Sequence, residues 1–201
     1  VYCILHRNIY WFWNREKKIQ GQFDTPLTPA GEKQARAWGR RLQTYQWDRI
    51  LSSDLARAIK TAGLVNNFLK IPAVVDPRLR EQDWGHWTGK TLAQIREDAP
   101  KILAEQEAAG WEFCPPGGEG RDTVCRRVQA PLEHAAKTWP GETILVVAHE
   151  GVIKCLVYRL VEYQKDPGRH QRMRPYFLHW ISHDGLALRL ERINALEINS
   201  R

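Results

Sequence analysis

The chain has 201 residues, enough for a single domain that buries about 70% of its unfolded surface, so its core needs neither a metal nor a disulfide. Its 30 Lys and Arg exceed 23 Asp and Glu, and the formal net charge of +7 attracts anions over long range. No apolar run approaches about 18 residues and the basic residues form no block, so we expect one domain over residues 1–201, with no membrane contact and with nucleic acid disfavoured as a partner.

The four cysteines show no C-x-x-C pairing and no histidine at zinc-ligand spacing. Reduced thiols in a cytoplasmic protein are therefore expected. The apolar residues 1–5 lack a basic lead-in, which favours a strand over a signal peptide.

Strands and helices are predicted to alternate along the chain. Residues 1–7 are predicted to form a buried strand, and a helix follows over 29–45, with Thr28 as N-cap and Pro29 in its first turn. The further predicted elements are strands over 48–52, 73–75 and 143–148, helices over 55–69, 91–109 (interrupted at Pro100), 122–137 (kinked at Pro131) and 152–163, a loop at 115–118, and a hairpin over 177–181 and 186–190 that turns through Asp184 and Gly185. This alternation predicts an α/β fold, a three-layer sandwich in which helices cover both faces of a mainly parallel sheet.

Polar side chains follow three of the predicted strands. They are Arg7 and Asn8 after the first strand, Ser52 and Ser53 at the end of the second, and His149 after the strand over 143–148. Ligands in parallel sheets bind at the carboxyl ends of strands, so these residues are expected to share one site.

His149 lies between an apolar strand and a helix that begins near Gly151, where free backbone amides can bind an anion. The alternative is a core histidine without a ligand. The guanidinium of Arg57 can bind two phosphate oxygens, with hydroxyl donors from Ser52 and Ser53 beside it. The alternative for Arg57 is a surface arginine.

Glu81 precedes Trp84 and Trp87 by a few residues. A carboxyl group beside aromatic rings can have a raised pKa and can then serve as a general acid. Asn14 could donate its amide to a phosphate oxygen or could cap a turn.

Taken together, several segments resemble the histidine phosphatase superfamily, also called phosphoglycerate-mutase-like. The segments are Gln20-Gly21, Pro26 to Gly31, Ser52 to Ala62, Leu79-Arg80-Glu81, Trp84 to Gly89, Pro115 to Glu119 and His149 to Ile153. The resemblance implies a phosphoglycerate-mutase-like fold and a phosphomonoester phosphatase, or mutase-like phosphoryl transfer. The short span from Glu81 to Pro115 looks more like the phosphatase branch, which includes alpha-ribazole phosphatase and broad-specificity phosphomonoesterases.

The resemblance also implies roles for single residues. In the family, a histidine in the first motif attacks phosphorus, two arginines and a second histidine hold the phosphoryl oxygens, and a glutamate protonates the leaving oxygen. These roles carry over to Arg7 and Arg57, to His149 and to Glu81. No metal or other cofactor is implied, and the expected partner is a phosphorylated small molecule; the sequence does not indicate an oligomeric state.

The first motif departs from the family pattern. An ungapped alignment keeps Arg7, Trp13 and Asn14 in register but places Asn8 at the position of the nucleophile. The lone pair of an amide nitrogen is delocalised, and losing a nucleophile costs on the order of 10⁴ to 10⁶ in turnover. A second alignment, which we favour less, makes His6 the nucleophile but puts Leu5 where the arginine belongs.

Two hypotheses follow. The chain is a phosphatase, impaired where Asn8 replaces the nucleophile, or it is an inactive module that binds a phosphorylated ligand. Two smaller departures are Gly120, which replaces a serine, and Glu150, which occupies a position where the family often has a small residue. The carboxylate of Glu150 is expected to weaken phosphate binding unless it points away.

Overall fold

Six strands form one sheet in the part of the chain that the computed structural model describes, which is residues 2–5 (backbone only), 16–162 and 171–198. The strands are β1 (Tyr2–Leu5), β2 (Arg49–Ser52), β3 (Ala73–Val75), β4 (Ile144–Val147), β5 (Phe177–His183) and β6 (Leu188–Glu197). Their order in the sheet is β3-β2-β4-β1-β5-β6. The first four strands run parallel, whereas β5 is antiparallel to β1 and pairs with β6.

The register aligns the carboxyl ends of three strands. Val147 of β4 pairs with Leu5 of β1 on one side and with Ser52 of β2 on the other. The chain therefore leaves β2 and β4 at the same edge of the sheet, and His149 follows β4 by two residues. Residues 6 and 7, which the sequence predicted as the end of the first strand, lie outside the described residues.

Helices lie between the parallel strands, as the sequence predicted. They are α1 (Pro29–Leu42), α2 (Ala56–Leu69), α3 (Leu92–Asp98), α4 (Pro100–Ala108), α5 (Arg121–Thr138) and α6 (Glu150–Leu160). Thr28 caps α1 by accepting a hydrogen bond from the amide of Gly31, and the predicted interruption at Pro100 separates α3 from α4. The helix α5 runs through Pro131.

Some predicted boundaries were wrong. The helix α1 ends at Leu42, so Tyr45 is not helical, and α6 begins at Glu150 rather than at Val152. Gly151 has a low helix propensity, but Glu150, an acidic residue in the first turn, interacts favourably with the helix dipole. In the hairpin, the Asp184 side chain accepts hydrogen bonds from the amides of Leu186 and Ala187, so these residues belong to the turn and β6 begins at Leu188.

The core lies on both faces of the sheet. On one face, residues of α5 and α6 pack against Ile144 and Val146 of β4. On the other face, residues of α1 and α2 pack against Leu145 and Val147. Alternate side chains of β4 are thus buried on opposite faces, which confirms the predicted three-layer α/β sandwich.

A smaller apolar cluster lies outside these layers. It consists of buried Trp87, Ile95, Leu103 and Phe113, with Ile19 and Trp84 packed against it. This cluster anchors the segment that carries α3 and α4. Across residues 16–162 and 171–198, every helix is too short or too polar to cross a membrane.

Candidate active site

Arg57, Glu81 and His149 line one cavity of about 750 Å³. Arg57 lies in the first turn of α2, Glu81 follows a 3₁₀ turn over Pro77–Leu79, and His149 is the N-cap of α6. Three separate segments thus bring a guanidinium, a carboxyl group and an imidazole to the edge of the sheet where β2 and β4 end.

His149 is only 6% exposed, and both ring nitrogens have partners. Nδ1 accepts a hydrogen bond from Nε of Arg57 at 3.3 Å, and Nε2 lies 2.9 Å from Oγ of Ser53. Burial holds the pKa of His149 well below 6.5, and the charges of Arg57 and Arg127 lower it further. The imidazole is therefore neutral at pH 7.

Arg57 is 2% exposed, which excludes the alternative of a surface arginine. Its Nη1 donates to the carbonyl oxygen of Phe23 and its Nη2 to that of Gly21, both at 2.7 Å. Burial lowers the pKa of Arg57, while the charges of Glu81 and Asp24 raise it. An arginine stays protonated in proteins, so the cavity holds a fixed buried cation.

The two serines do not act as the sequence suggested. Both are fully buried, and Oγ of Ser52 donates to the carbonyl oxygen of Ser53. Oγ of Ser53 accepts a hydrogen bond from the amide of Leu55 and contacts His149. The prediction that Ser52 offers a hydroxyl to a ligand is wrong for this structure, because its hydroxyl is used within the protein, and Ser53 orients His149.

The carboxylate of Glu81 faces the N-terminus of α6. Oε1 accepts hydrogen bonds from the amides of Gln82 at 2.8 Å and Val152 at 3.2 Å, and Oε2 accepts one from Gly151 at 3.3 Å. Burial raises the pKa of Glu81, and it outweighs these amides and the charge of Arg57, which lower it. The carboxyl group of Glu81 therefore stays protonated up to a higher pH than that of an ordinary glutamate.

Gly151 is required for this arrangement. A Cβ atom at Gly151 would lie 2.6 Å from Oε1 of Glu81, well inside van der Waals contact. Glycine lets the carboxylate approach the first turn of α6 closely enough to bind its amides.

An arginine that sequence reasoning missed holds the segment that carries Glu81. Nη1 of Arg127 donates to the carbonyl oxygens of Arg78 and Arg80 at 2.8 Å, and Nη2 donates to that of Glu81 at 3.3 Å. Glu119 accepts two further hydrogen bonds from Arg127, at 2.9 and 2.7 Å. In the sequence, the only signal was Glu119 in the Pro115 to Glu119 motif, since nothing around Arg127 marks it.

Glu150 lines the cavity, and its carboxylate is paired. Oε1 lies 2.5 Å from Nζ of Lys154, one helical turn further along α6. The negative charge beside His149 is therefore largely balanced within the helix.

The predicted first motif, with His6, Arg7, Asn8 and Asn14, lies outside the described residues. The roles given to these residues remain predictions. Among the residues that the structure does describe, no group of three or more His, Cys, Asp or Glu could hold a metal ion.

Comparisons with known proteins agree with the family resemblance that the motifs indicate. The model of the histidine phosphatase superfamily (branch 1) matches residues 10–196. A probable phosphoglycerate mutase of Enterobacter sp. (strain 638) is 32% identical over 174 residues, which cover 87% of this chain and 80% of the relative.

Two solved structures extend the comparison. A mycobacterial glucosyl-3-phosphoglycerate phosphatase, solved with VO3, superposes with a TM-score of 0.82 at 32% identity and covers 96% of this chain and 98% of that one. The same phosphatase has been solved with inorganic phosphate. An alpha-ribazole phosphatase from Shigella flexneri reaches a TM-score of 0.81 at 24% identity, covering 100% of this chain and 98% of that one, a likeness of fold.

Proposed function

Because the chain belongs to the histidine phosphatase superfamily, we propose that its cavity binds a phosphomonoester and that its chemistry is phosphoryl transfer to water. The observation that carries this proposal is the buried contact between Arg57 and His149 in the cavity that Glu81 also lines. A fixed cation, a titratable imidazole and a carboxyl group with a raised pKa are the groups that a phosphoryl group and its leaving oxygen require.

The three described residues have different roles in this chemistry. Arg57 stabilises the charge on the transferring phosphoryl oxygens, because its guanidinium is held in place before the ligand arrives. His149 adds a hydrogen bond to these oxygens once Nδ1 exchanges its contact with Arg57 for the ligand and is protonated. Glu81 donates a proton to the leaving alkoxide, which the raised pKa of its carboxyl group favours. By sequence position, Arg7 and Asn14 add further donors to the phosphoryl oxygens.

The nucleophile decides how fast the chain turns over. In the ungapped alignment Asn8 occupies its position, so we propose a protein that binds phosphomonoesters well and hydrolyses them weakly. A second candidate, an inactive phosphate-ligand-binding or regulatory module, is favoured by this same asparagine. Support for phosphate binding comes from the mycobacterial phosphatase solved with inorganic phosphate, a relative of the same fold.

Hydrolysis of p-nitrophenyl phosphate by the full chain separates these candidates. Weak turnover that His149→Ala removes supports the phosphatase, and saturable phosphate binding without turnover supports the module. Asn8→His is expected to raise turnover by about 10³-fold or more, while His6→Ala leaves it unchanged. Activity that His6→Ala abolishes would reverse the assignment of the nucleophile.

A further inference from the structure

Arg121 lines the same cavity as Arg57 but belongs to a different element. It is the first residue of α5 and is half-buried, whereas Arg57 lies on α2. The roles that the family resemblance carries over assign nothing to position 121. The cavity therefore contains a second guanidinium that the proposed phosphoryl site does not use.

Neutral groups hold the guanidinium of Arg121 in place. Its Nη1 donates to the carbonyl oxygen of Gly110, and its Cζ lies 5.0 Å from the centroid of the Phe113 ring. Within residues 16–162 and 171–198, no carboxylate forms an ion pair with Arg121. Its other N–H groups are therefore donors for a ligand, and their positive charge is not balanced locally.

The acidic side chains nearest to Arg121 in the cavity wall and in the chain pair with other cations. The three pairs are Glu107 with Arg96 (4.0 Å), Glu150 with Lys154 (2.5 Å) and Asp122 with Arg159 (3.8 Å). Asp122 also accepts a hydrogen bond from Nε1 of Trp111 at 2.8 Å, which directs its carboxylate toward that side chain. The charge of Arg121 is thus left for a ligand in the cavity.

Cys155 relates the position of Arg121 to the chemistry. Its side chain lines the cavity, and burial raises the pKa of its thiol to about 12. The charge of Arg121 lowers this pKa and that of Glu81 raises it, so both groups lie within electrostatic range of the same sulfur atom. Because Glu81 is the proposed proton donor to the leaving oxygen, Arg121 lies on the side of the cavity toward which the alcohol part of a substrate extends.

We propose that the alcohol part of the substrate carries a second anionic group, a carboxylate or a phosphate, and that Arg121 binds this group. A planar guanidinium matches two oxygens of either anion, so Arg121 is a specificity-determining residue. The cavity of about 750 Å³ has room for both ends of such a ligand. This inference rests on the proposed function, because the phosphoryl group must occupy the end of the cavity at Arg57 and His149.

Phosphonates test the inference without turnover, because this chemistry does not cleave a carbon–phosphorus bond. Each acid is compared with its neutral amide of the same length. The acids are phosphonoacetate, 3-phosphonopropionate and 4-phosphonobutyrate, and propane-1,3-diphosphonate is compared with propylphosphonate to provide a second phosphate-like group. All are titrated into the full chain by calorimetry at pH 7 and one salt concentration, alongside inorganic phosphate.

The best acid of the series is expected to bind about 10-fold tighter than its amide, the scale of a charge-assisted hydrogen bond at a half-buried site. Propane-1,3-diphosphonate should likewise bind tighter than propylphosphonate if the second group is a phosphate. Either preference supports a second anion, and the larger of the two identifies it. Equal affinities within every pair, with phosphate still bound, overturn the inference.

Variants assign the preference to Arg121. Arg121→Met should abolish it and leave the affinity for inorganic phosphate unchanged, which also shows that the variant is folded. Arg121→Gln keeps an amide donor for the carbonyl oxygen of Gly110, should behave in the same way, and serves if the methionine variant does not fold. Arg126→Met removes the same charge from an exposed position of α5 and should keep the preference.

The control also separates a bound anion from long-range attraction. A preference for the acids that survives in both Arg121 variants would arise from the net charge of +7 and would overturn the role of Arg121. In these outcomes inorganic phosphate still binds, so the proposed function stands. If the chain binds neither phosphate nor any phosphonate, the proposed function falls first and this inference falls with it.

Discussion

Nε of Arg57 donates a hydrogen bond to Nδ1 of His149 over 3.3 Å, so the lone pair of Nδ1 is bound to a buried guanidinium. A protonated Nδ1 could not accept this bond, and Nε2 therefore carries the ring proton toward Ser53. In the absence of an anion the site is poised with a neutral histidine beside a fixed positive charge.

Anion binding is expected to protonate His149. An oxyanion that replaces the contact between Arg57 and Nδ1 offsets the guanidinium charge and can accept a hydrogen bond from the protonated Nδ1, so the pKa of His149, now well below 6.5, should rise. Calorimetric titration with sulfate at pH 7, in two buffers with different ionisation enthalpies, should show proton uptake. Sulfate itself does not titrate there. In His149→Gln the uptake should disappear, and a wild-type enthalpy that is independent of the buffer would contradict the coupling.

Stability should depend on pH through the same histidine. The pKa of His149 is lower in the folded state than its ordinary value of 6.5, so the unfolded chain binds more protons between the two values. Its contribution to the free energy of unfolding is complete above about pH 6.5 and is lost as the pH falls. Urea unfolding at pH 7.5 and 5.5 should thus show a larger loss for the wild type than for His149→Gln.

Glu81 contributes with the opposite sign. Its pKa is raised in the folded state, so its contribution is complete below about pH 4.5, the ordinary value, and is lost as the pH rises through the folded pKa. Both the wild type and His149→Gln retain Glu81. The difference between their losses of unfolding free energy therefore reports the contribution of His149 alone. His134→Gln, at an exposed histidine of α5, is the control and should follow the wild type.

Gly151→Ala should damage the site while sparing the fold. The new methyl group would lie 2.6 Å from Oε1 of Glu81 and would push the carboxylate from the amides of α6. Turnover of an alkyl phosphate such as glycerol 2-phosphate, whose leaving alkoxide needs a proton, should fall by about 10²-fold, the scale expected for loss of a general acid. Gly63→Ala is the matched control in α2, because a Cβ there meets nothing within 4 Å. It should stabilise the protein by about 0.5 to 1 kcal/mol and keep activity.

Removing the arginine that holds the Glu81 segment should cost both stability and activity. In Arg127→Met, the carbonyls of Arg78, Arg80 and Glu81 lose a donor and the carboxylate of Glu119 loses its cation. We expect about 2 kcal/mol of destabilisation in urea, since the pair is only partly buried.

The adjacent residue, Arg126, provides the control for Arg127→Met. Arg126→Met, at an exposed position of the same helix, should change the free energy of unfolding by no more than about 0.5 kcal/mol. Equal effects of the two substitutions would show that Arg127 does not hold the segment.

The sequence predicted the strand ends of the site well, for a physical reason. Apolar strands such as β4 are buried on both faces and read as continuous runs, so the position of His149 after β4 could be inferred locally. Arg127 could not be found in this way, because its contacts with Arg78 and Glu81 join segments 46 to 49 residues apart. Such contacts depend on the packing of α5, which hydrophobic periodicity places only approximately.

Local sequence patterns could not predict which aromatic side chains line the cavity. In the sequence, Trp84 and Trp87 were identified as neighbours that could raise the pKa of Glu81 and as part of the Trp84 to Gly89 motif. Their contribution to a cavity with Trp111 and Phe113 depends on how α3 and α4 fold back across the sheet edge, which the interruption at Pro100 permits but does not specify.

A crystal structure of the full chain with tungstate tests the central claim most directly. We predict that the oxyanion lies within hydrogen-bond distance of Arg57 and His149, with Glu81 facing its open side and either Asn8 or His6 opposite the leaving position. Tungstate bound at another surface, with Arg57 still donating only to protein atoms, would contradict the assignment of this cavity as a phosphoryl site.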